Sequence, residues 1–552
     1  MTTLLLSYAS GAAAQPLLGE TIGANFERTV ARFGDRDALV SVHQNLRFTY
    51  TQLNDEVNRV ACGLLAMGLG RGDRVGIWSP TCAEWTLTQY ATAKLGIILV
   101  NINPAYRSHE LAYVLNQSGC VALIAATSFK TSDYVAMVDA VRPDTPQLVH
   151  TVFIGSPDWD DLLTKGDSVG IEGIEAVNDL QATLQFDDPI NIQYTSGTTG
   201  FPKGATLSHH NILNNGYFVG QGVNYTEHDR ICIPVPLYHC FGMVMGNLGA
   251  TTNGACMVYP AAAFDPAATL QAVQDERCTS LYGVPTMFIA ELGLPNFESY
   301  DLGSLRTGIM AGSPCPVEVM KQVQERMGAH EVGICYGMTE TSPVSTQTAT
   351  DDTIDRRCGT VGRIMPHVEV KIIDPDTGAI TLRGTAGEFC TRGYSVMTGY
   401  WENPEKTAEA IDGGRWMHTG DLAVMDDEGY VNIVGRIKDM IIRGGENVYP
   451  REIEEYLYTH PLVADVQVIG VPDVKYGEEI MAWVKLKDGG TLSEAEIKDF
   501  CKGRIAHYKV PRYVKFVDDF PMTVTGKVRK IEMRELSIDE LGLQAAAAVK
   551  NA

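Results

Sequence analysis

Hydrophobic residues first recur at helical spacing about fifty residues into the chain. Thr49 and Gln52 stand three positions apart, which is the spacing of a capping box, in which each side chain caps the other residue's backbone N–H. The apolar positions that follow fall on one helical face: Leu53, Val57, Val60, Leu64 and Met67. Gly68 and Gly70 come next, and glycine commonly ends a helix. The pattern predicts an amphipathic helix that begins after Thr49.

Further along, short apolar runs alternate with helical patterns. The runs at residues 75–78, 97–100 and 121–124 are rich in aliphatic and β-branched residues, as buried strands are. Helical patterns lie between them, at residues 85–94 and from His109 onward. Strands that alternate with helices are typical of a parallel sheet covered by helices. The sequence therefore predicts an α/β fold.

The character of the chain changes twice after residue 360. Residues 361–400 form short β-like runs broken by Gly, Asp and Thr, which predicts a small β-rich subdomain. After residue 435 comes a charged turn, then a helix that Pro450 opens, and then a strand at 466–471. We therefore expect a domain boundary at 436–439, with one domain at 1–435 and another at 440–552.

Composition and charge narrow the classes of protein. The chain has 552 residues, 45% hydrophobic and 20% charged, which fits several packed domains. No apolar stretch approaches the ~20 residues that cross a bilayer. The net charge of −23 repels nucleic acid, so we expect no nucleic-acid partner. It also repels anionic ligands, which would then need local cations and backbone N–H groups.

The cysteines and the first residues bear on the compartment. The 12 cysteines include no CxxC pair and no metal-like cluster, which argues against a zinc site and a secreted disulfide framework. Residues 1–16 lack the basic start of a signal peptide and the arginines of a transit peptide. We therefore expect a cytoplasmic protein with an irregular N-terminal arm.

The strongest local signal is a loop of small residues after a strand pattern. The loop reads Thr195, Ser196, Gly197, Thr198, Thr199, Gly200, Phe201, Pro202, Lys203 and Gly204. Glycines let backbone N–H groups face inward, hydroxyls add donors and Lys203 adds a positive charge, so the loop suits a polyphosphate. A flexible surface turn has a similar composition, but the density of donors favours the phosphate site. The loop is not a Walker A motif, because the Gly-Lys-Ser/Thr ending is missing.

This loop and six later motifs resemble those of one family. YTSGTTGFPKG at 194–204 is similar to the signature of the adenylate-forming enzymes, which include acyl- and aryl-CoA synthetases, peptide-synthetase adenylation domains and luciferases. The other motifs keep the family's order: PLYHCFG at 236–242, AGSP at 311–314, YGMTE at 336–340, TGDL at 419–422, GRIKDMIIRGGENVYP at 435–450 and TGK at 525–527. The resemblance implies a large N-terminal domain of two α/β subdomains plus a β-rich one, and a small mobile α+β C-terminal domain after a hinge at 436–439.

The resemblance also implies an ATP-dependent acid:CoA ligase. In such an enzyme a carboxylate attacks the α-phosphate of ATP to give acyl-AMP and pyrophosphate, and CoA then takes the acyl group. The glycine-rich loop is implied to hold the β- and γ-phosphates, and Thr339 and Glu340 match residues that contact the α-phosphate and Mg²⁺. One carboxylate is sufficient, because Mg²⁺ also takes phosphate oxygens and waters as ligands.

Further motifs match nucleoside contacts of the family. The residues that match its adenine site are Gly312, Ser313, Pro314, Tyr336 and Gly337. Asp421 and Arg436 match two residues that contact the ribose, although without the resemblance they would be interpreted as a surface ion pair. We therefore expect both residues to bind the nucleotide.

The C-terminal motifs match groups that serve the two half-reactions. Lys527 matches the lysine that reaches the substrate carboxylate and the α-phosphate during adenylation, and a flexible ammonium suits that task. Arg443, Gly444 and Gly445 match a loop that moves beside the acyl group when CoA attacks, and Arg443 is a candidate for a CoA phosphate. Lys438 matches the hinge position.

The identity of the acid is argued from residues 238–246. Amino-acid-activating domains carry an aspartate early in this motif, whereas this chain has Tyr238, His239 and Cys240. His239 resembles a histidine on the acyl side of the pocket, where it would orient or gate the substrate. The small or apolar character of the next residues leaves room for an alkyl chain: Phe241, Gly242, Met243 and Gly246.

We therefore expect a medium- or long-chain fatty acid as substrate. The alternatives are a ligase for aryl or other carboxylic acids, and a nucleotide sensor without turnover. The sequence leaves open whether the chain forms homo-oligomers and whether it touches a membrane surface to collect its substrate.

Overall fold

The computed structural model describes residues 5–195, 202–313, 315–444, 446–523 and 528–547. Contacts between residues divide the chain into two units. The larger unit contains Ala9–Val370 and Thr391–His418, and the smaller unit contains Met1–Tyr8, Lys371–Cys390 and Thr419–Ala552. The predicted boundary at 436–439 falls inside the smaller unit, and a domain division at that point stays a prediction.

The larger unit contains a seven-stranded sheet. Its order across the sheet is Gly399–Tyr400, Lys203–Ser208, Pro189–Thr195, Ile98–Asn101, Arg74–Trp78, Ala122–Ala126 and His150–Ile154. The last five strands of this order are parallel, whereas the first two pair antiparallel. Trp78, Val100, Leu123 and Ile192 form part of its fully buried core. The predicted strands at 75–78, 97–100 and 121–124 correspond to three of these parallel strands.

The larger unit also contains a nine-stranded sheet, which carries several of the predicted site residues. Its order is Arg363–Ile364, Val344–Gln347, Glu331–Gly337, Thr307–Met310, Ser280–Gly283, Arg230–Cys232, Cys256–Tyr259, Asp37–Ser41 and Leu46–Thr49. The six strands from Glu331–Gly337 to Asp37–Ser41 are parallel. A two-stranded ribbon, Ser128–Phe129 with Ser132–Asp133, is separate from both sheets.

Helices connect the strands of the larger unit. They are Ile22–Phe33, Tyr50–Ala66, Ala83–Leu95, Ser108–Ser118, Tyr134–Val141, Pro157–Ser168, Gly170–Thr183, His209–Gly222, Gly249–Thr251, Pro266–Asp275, Pro285–Leu292, Val317–Arg326, Ile354–Gly359 and Pro404–Ala410, with a π-helix at Phe241–Leu248. The alternation of parallel strands and helices confirms the predicted α/β class.

The predicted capping box is present at the start of Tyr50–Ala66. The Thr49 hydroxyl accepts from the Gln52 N–H, and the Gln52 side chain accepts from the Thr49 N–H. Four of the five predicted apolar positions are fully buried: Leu53, Val57, Val60 and Leu64. The fifth, Met67, is half-buried: it is the C-cap residue, and Gly68 follows with a φ of 82°.

The smaller unit contains an α+β arrangement at its C-terminal end, with a mainly antiparallel sheet. Its sheet has the order Glu446–Val448, Ile441–Arg443, Gly477–Leu486 and Val463–Asp473, and Tyr513–Phe516 pairs parallel with Gly477–Leu486. The helices are Pro450–Tyr458, Glu494–Cys501, Lys530–Leu541 and Gln544–Ala547. Ile453, Leu457, Val466 and Val484 are fully buried between them. The helix does begin at the predicted Pro450, and the predicted strand at 466–471 lies within Val463–Asp473.

A further five-stranded sheet includes two strands of the predicted β-rich region, Val368–Ile373 and Gly387–Gly393. Its order is Tyr8–Ser10, Val368–Ile373, Gly387–Gly393, Met417–Met425 and Val431–Arg436. Among the described residues no helix is both long and apolar enough to cross a membrane.

Candidate active site

The two ends of the glycine-rich loop are held together by a strand pair. Pro189–Thr195 enters the loop and Lys203–Ser208 leaves it, and the two strands are antiparallel neighbours in the seven-stranded sheet. Their register places Thr195 opposite Lys203. Residues 196–200, which we predicted to bind phosphate, lie outside the described residues. The described ends nevertheless fix where the loop starts and stops.

Thr339 and Glu340 form a buried turn directly after the strand Glu331–Gly337. The two residues are 9% and 4% exposed and open a single 3₁₀ turn, Thr339–Thr341. The Glu340 carbonyl accepts a hydrogen bond from the Met397 N–H at 2.9 Å, which fixes the turn from the other side. A carboxylate is rarely buried unless it has partners. Glu340 is therefore expected to have hydrogen-bond donors close to its carboxylate.

Two hydroxyls donate to the same oxygen of Glu340. The Tyr400 hydroxyl lies 2.9 Å from Oε1, and the Thr195 hydroxyl lies 3.3 Å from it. The structure thus brings the first residue of the predicted phosphate loop into contact with the predicted magnesium ligand. Lys203 joins the same group, because its Nζ lies 3.2 Å from the Tyr400 hydroxyl and 4.3 Å from the ring centroid.

The chemistry of this group fits a hard divalent cation and phosphates. Its metal-binding atoms are carboxylate and hydroxyl oxygens, which Mg²⁺ prefers, and its nearest cation is the ammonium of Lys203. Burial and the charge of Glu340 raise the pKa of Tyr400 far above its usual value, so the phenol stays protonated and neutral. The residues present therefore fit the expected Mg²⁺, with Glu340 as the charged ligand.

The predicted adenine residues lie at the carboxyl ends of two neighbouring parallel strands. Tyr336 and Gly337 are the last two residues of the strand Glu331–Gly337, and Gly312 and Ser313 follow the strand Thr307–Met310. Parallel strands place their carboxyl ends at one edge of a sheet, which is the usual position of a nucleotide site. Tyr336 is half-buried, whereas Gly337 is exposed. Pro314 lies outside the described residues.

Gly337 has a steric role that the sequence did not reveal. A Cβ at this position would lie 1.7 Å from the carbonyl oxygen of Pro343, so no other residue fits without moving the backbone. The same carbonyl accepts from the Met338 N–H at 2.9 Å. Gly337 thus lets the chain turn tightly toward Thr339 and Glu340.

His239 lies half-buried just before the π-helix Phe241–Leu248. Its Nδ1 accepts from the Phe241 backbone N–H at 3.2 Å, so a neutral His239 carries its proton on Nε2. The Asn101 amide donates to the neighbouring Tyr238 carbonyl at 3.0 Å and fixes the segment. These bonds suit a residue that orients a ligand rather than one that transfers a proton.

Cys240 connects the His239 segment to the phosphate side. Its Sγ donates to Gln193 Oε1 at 3.0 Å, on the strand that leads into the glycine-rich loop. Burial and the charge of Glu340 raise the pKa of the Cys240 thiol, whereas its hydrogen bonds with Gln193 and Thr339 lower it. Cys240 is therefore a buried thiol that bonds to the strand before the glycine-rich loop, a contact that the sequence did not indicate.

The expected open space beside the glycines of this segment is absent. A Cβ on Gly246 would lie 3.0 Å from Ile233 Cδ1, and one on Gly242 would lie 2.5 Å from the Pro236 carbonyl oxygen. The expectation that these two glycines leave room for an alkyl chain was therefore wrong. They allow the π-helix to pack closely against its neighbours.

In the smaller unit the structure brings Asp421 and Arg436 together. They are register partners on the antiparallel strands Met417–Met425 and Val431–Arg436. Arg436 Nε lies 2.8 Å from Asp421 Oδ1, and the carboxylate is buried while the guanidinium is more than half exposed. The ion pair considered from the sequence does exist. It also holds the carboxylate in place, as a ribose contact would require.

Arg443 forms a bidentate ion pair with a buried carboxylate. Its Nε and a terminal nitrogen lie 2.7 and 2.9 Å from the two oxygens of Glu479, which is 1% exposed. Gly444 follows with a φ of 62° and donates its N–H to the Tyr476 carbonyl. Arg443 thus supplies little net charge for a phosphate of CoA. Gly445 lies outside the described residues, and so does Lys527.

Tyr400 is the clearest contact that the sequence missed. It lies in the region that we assigned only to short β-runs, and its strand is two residues long. No local pattern distinguishes it, because its partners lie 60 and 197 positions away. The contacts of Tyr400 can be recognised only once the pairing of the strands is known.

Comparisons with known proteins agree on the whole length of the chain. The sequence matches the AMP-binding enzyme family over residues 26–401 and the AMP-binding enzyme C-terminal domain over residues 452–527. It is 49% identical to the putative acyl-CoA synthetase YngI of Bacillus subtilis over 96% of this chain and 99% of that protein. It is 47% identical to the mitochondrial medium-chain acyl-CoA ligase ACSF2 of Danio rerio over 98% and 92%. The crystal structure of the anthranilate CoA ligase AuaEII with anthranoyl-AMP matches with a TM-score of 0.83 at 28% identity, over 96% and 99%.

Proposed function

The chain belongs to the AMP-binding enzyme family and is an ATP-dependent fatty acid:CoA ligase, and we propose that Thr195, Lys203 and Glu340 hold the phosphates and the metal. Its substrates are a carboxylic acid, ATP and CoA. The hydrogen bonds from Thr195 and Tyr400 to Glu340 support this assignment most directly. They join the start of the glycine-rich loop to a buried carboxylate.

In the first half-reaction, negative charge develops on the phosphates of ATP, which these residues are proposed to bind. An oxygen of the fatty acid carboxylate bonds to the α-phosphorus of ATP, and the bond from that phosphorus to the β-phosphate bridge breaks, so pyrophosphate leaves. Lys203 and the loop N–H groups bind the β- and γ-phosphates, and Thr339 binds the α-phosphate. Glu340 would hold Mg²⁺, which when bound neutralises charge on the phosphate oxygens. Preorganised groups of this kind typically supply much of the rate enhancement.

Five residues that match the family's nucleoside contacts are assigned to the adenine and the ribose. Tyr336, Gly312 and Ser313 line the adenine, for which the aromatic face of Tyr336 is suited. Asp421 accepts from the ribose hydroxyls, and the ion pair with Arg436 orients its carboxylate. His239 donates through Nε2 toward the acyl side.

The second half-reaction uses the C-terminal part of the chain. The sulfur of CoA attacks the acyl carbonyl carbon, and AMP leaves. We assign residues 436–439, with Lys438, as the hinge, and residues 440–552 as the domain that rotates between the two steps. Lys527 serves adenylation, whereas the loop that contains Arg443, Gly444 and Gly445 serves the transfer to CoA.

Medium-chain fatty acids are the proposed preferred substrates. The relatives of this name are 43–47% identical over almost the whole chain, whereas the aryl ligase AuaEII is 28% identical. We also propose a cytoplasmic location. All 12 cysteines lie within the described residues as buried thiols outside any disulfide, which suits a reducing compartment, although several animal relatives carry mitochondrial names.

Acid-dependent exchange of pyrophosphate into ATP tests the function. We expect exchange with fatty acids from a panel of C2 to C18 chains, strongest at medium length, and weak exchange with benzoates. Exchange with benzoates alone would replace the fatty acid by an aryl substrate. No exchange with any acid, in protein that still binds ATP, would favour a nucleotide sensor.

Lys527→Ala tests the separation of the two steps. Loss of one preorganised donor typically costs ~10²–10³ in rate, so adenylate formation should fall by about that factor. Transfer of the acyl group from supplied acyl-AMP to CoA should survive, because pyrophosphate has already left before this step. Equal losses in both half-reactions would show that Lys527 has a different role.

A further inference from the structure

Tyr400 is fixed by its backbone on several sides. The strand Gly399–Tyr400 pairs antiparallel with Lys203–Ser208, and Tyr400 is the register partner of Ala205. The Tyr400 N–H donates to the Thr407 hydroxyl at 2.9 Å, and the Trp401 N–H donates to the Gly204 carbonyl at 2.7 Å. The side chain is 7% exposed. Its hydroxyl therefore occupies a defined position beside the end of the glycine-rich loop.

The hydroxyl lies between two groups of opposite charge. It donates its single proton to Glu340 Oε1 at 2.9 Å, and its lone pairs accept from Lys203 Nζ at 3.2 Å. The ammonium also lies over the ring, 4.3 Å from the centroid, where a cation is attracted by the π-system. Each charged group is thus held by the phenol, through a different part of it.

We propose that Tyr400 is a positioning residue for adenylation, which holds Glu340 and Lys203 in place for the metal and the phosphates of ATP. This inference rests on the proposed function of those two residues. A direct ion pair between them would have to be broken before either could bind its ligand. The neutral hydroxyl keeps both side chains ordered without neutralising either charge.

The pattern of donors at Glu340 supports this role. Tyr400 and Thr195 both reach Oε1, and within the described part of the chain no donor reaches Oε2. One carboxylate oxygen is therefore anchored and the other is left for a metal. Anchored ligands of this kind typically raise affinity, because less freedom is lost on binding.

Tyr400→Phe removes the hydroxyl and keeps the ring over Lys203. A hydrogen bond to a charged group contributes about 1.5–3 kcal/mol, which corresponds to roughly a 10- to 100-fold effect. We expect the dissociation constant of MgATP, measured by titration calorimetry on the full-length protein, to rise by about that factor. The Mg²⁺ concentration for half-maximal pyrophosphate exchange should rise as well. Thioester formation from supplied acyl-AMP and CoA should change less than about twofold, because that step does not use the β- and γ-phosphates.

Tyr50→Phe is the matched control. Tyr50 is also fully buried, and its hydroxyl donates to the Ala255 carbonyl at 2.6 Å, away from the residues assigned to the site. This variant should leave MgATP binding and both half-reactions unchanged, even if its melting temperature falls. The two variants together separate the loss of a buried hydroxyl from the loss of this particular one.

Three outcomes are decisive. Wild-type MgATP affinity and Mg²⁺ dependence in Tyr400→Phe would overturn the proposal. Equal losses in both half-reactions, together with a lowered melting temperature, would also overturn it and assign Tyr400 to packing. If the wild-type protein shows no acid-dependent exchange, the proposed function fails instead, and the MgATP titration still decides the role of Tyr400 in binding.

Discussion

A buried histidine makes the stability of the larger unit depend on pH. His209 begins the helix His209–Gly222 and is completely buried. Its Nδ1 accepts from the Ile22 N–H at 3.1 Å, in the first turn of the helix Ile22–Phe33. Protonation at Nδ1 would destroy that hydrogen bond and place a charge in the core. Burial accordingly lowers the pKa of His209 to about 3.

The sign and size of the effect follow from these values. In the folded state the imidazole stays neutral down to about pH 3, whereas in the unfolded chain it takes a proton below its ordinary pKa of 6.5. The folded pKa is therefore depressed, and stability is lost as the pH falls below 6.5. pH 5 lies about 1.5 units below the unfolded pKa, which corresponds to a loss of ~2 kcal/mol in the free energy of unfolding. At pH 7.5 the loss from His209 is close to zero.

His209→Asn should remove this dependence. The asparagine oxygen keeps an acceptor for the Ile22 N–H but does not titrate. Urea unfolding at pH 7.5 and pH 5.0 gives the comparison, with hydrogen exchange of peptides from the helix His209–Gly222 identifying the relevant transition. The wild-type protein should lose about 2 kcal/mol more than the variant between the two pH values.

The control is His228→Asn, at a side chain that is 73% exposed. It should show the same pH dependence as the wild type. If His209→Asn also loses stability as steeply as the wild type, the imidazole is not the source of the acid sensitivity, and the argument from its burial is wrong.

Two further substitutions test a buried acid and a packed glycine. Glu291 is fully buried, neither of its oxygens has a hydrogen-bond partner among the described residues, and burial raises its pKa well above the ordinary value. Its contribution to stability is thus present below the unfolded pKa and lost as the pH rises through the folded pKa. Glu291→Met should therefore raise the melting temperature at pH 8 and lose that advantage near pH 4.5. A gain in melting temperature that is constant with pH would contradict this. Gly246→Trp should lower kcat/KM for all acyl chain lengths alike, because the new side chain meets Ile233 rather than an open channel. A loss confined to long chains would place Gly246 at the end of the acyl pocket.

Local patterns predicted the elements that depend on neighbouring residues. Thr49 and Gln52 predicted a helix start that the structure confirms, because a capping box involves four consecutive residues. The alternation before Thr195 likewise predicted the strand that leads into the glycine-rich loop. The family motifs predicted the fold class. The structure then places Tyr336 near the end of the strand Glu331–Gly337, and Thr339 and Glu340 in the turn that follows it.

Features that depend on distant pairing were not predictable in this way. Tyr400 meets Lys203 because a two-residue strand adds to the edge of a sheet formed almost two hundred positions earlier. The packing of Gly246 against Ile233 depends on a π-helix, whose i to i+5 hydrogen bonds change which residues share a helical face. A composition change at residue 435 marks a charged turn. It does not show that residues 371–390 group with the C-terminal part of the chain.

The net charge of −23 posed the question of how this protein would hold anionic ligands. Three of the four predicted ligand-binding cations lie within the described residues, and they answer it differently. Arg436 is paired with Asp421, and Arg443 is paired with Glu479, so each offers a fixed set of donors with little net charge. Among the described contacts Lys203 has no ion pair and instead meets the neutral hydroxyl and ring of Tyr400. Its full positive charge is therefore available at the end of the glycine-rich loop, where the pyrophosphate leaving group of adenylation carries the most negative charge.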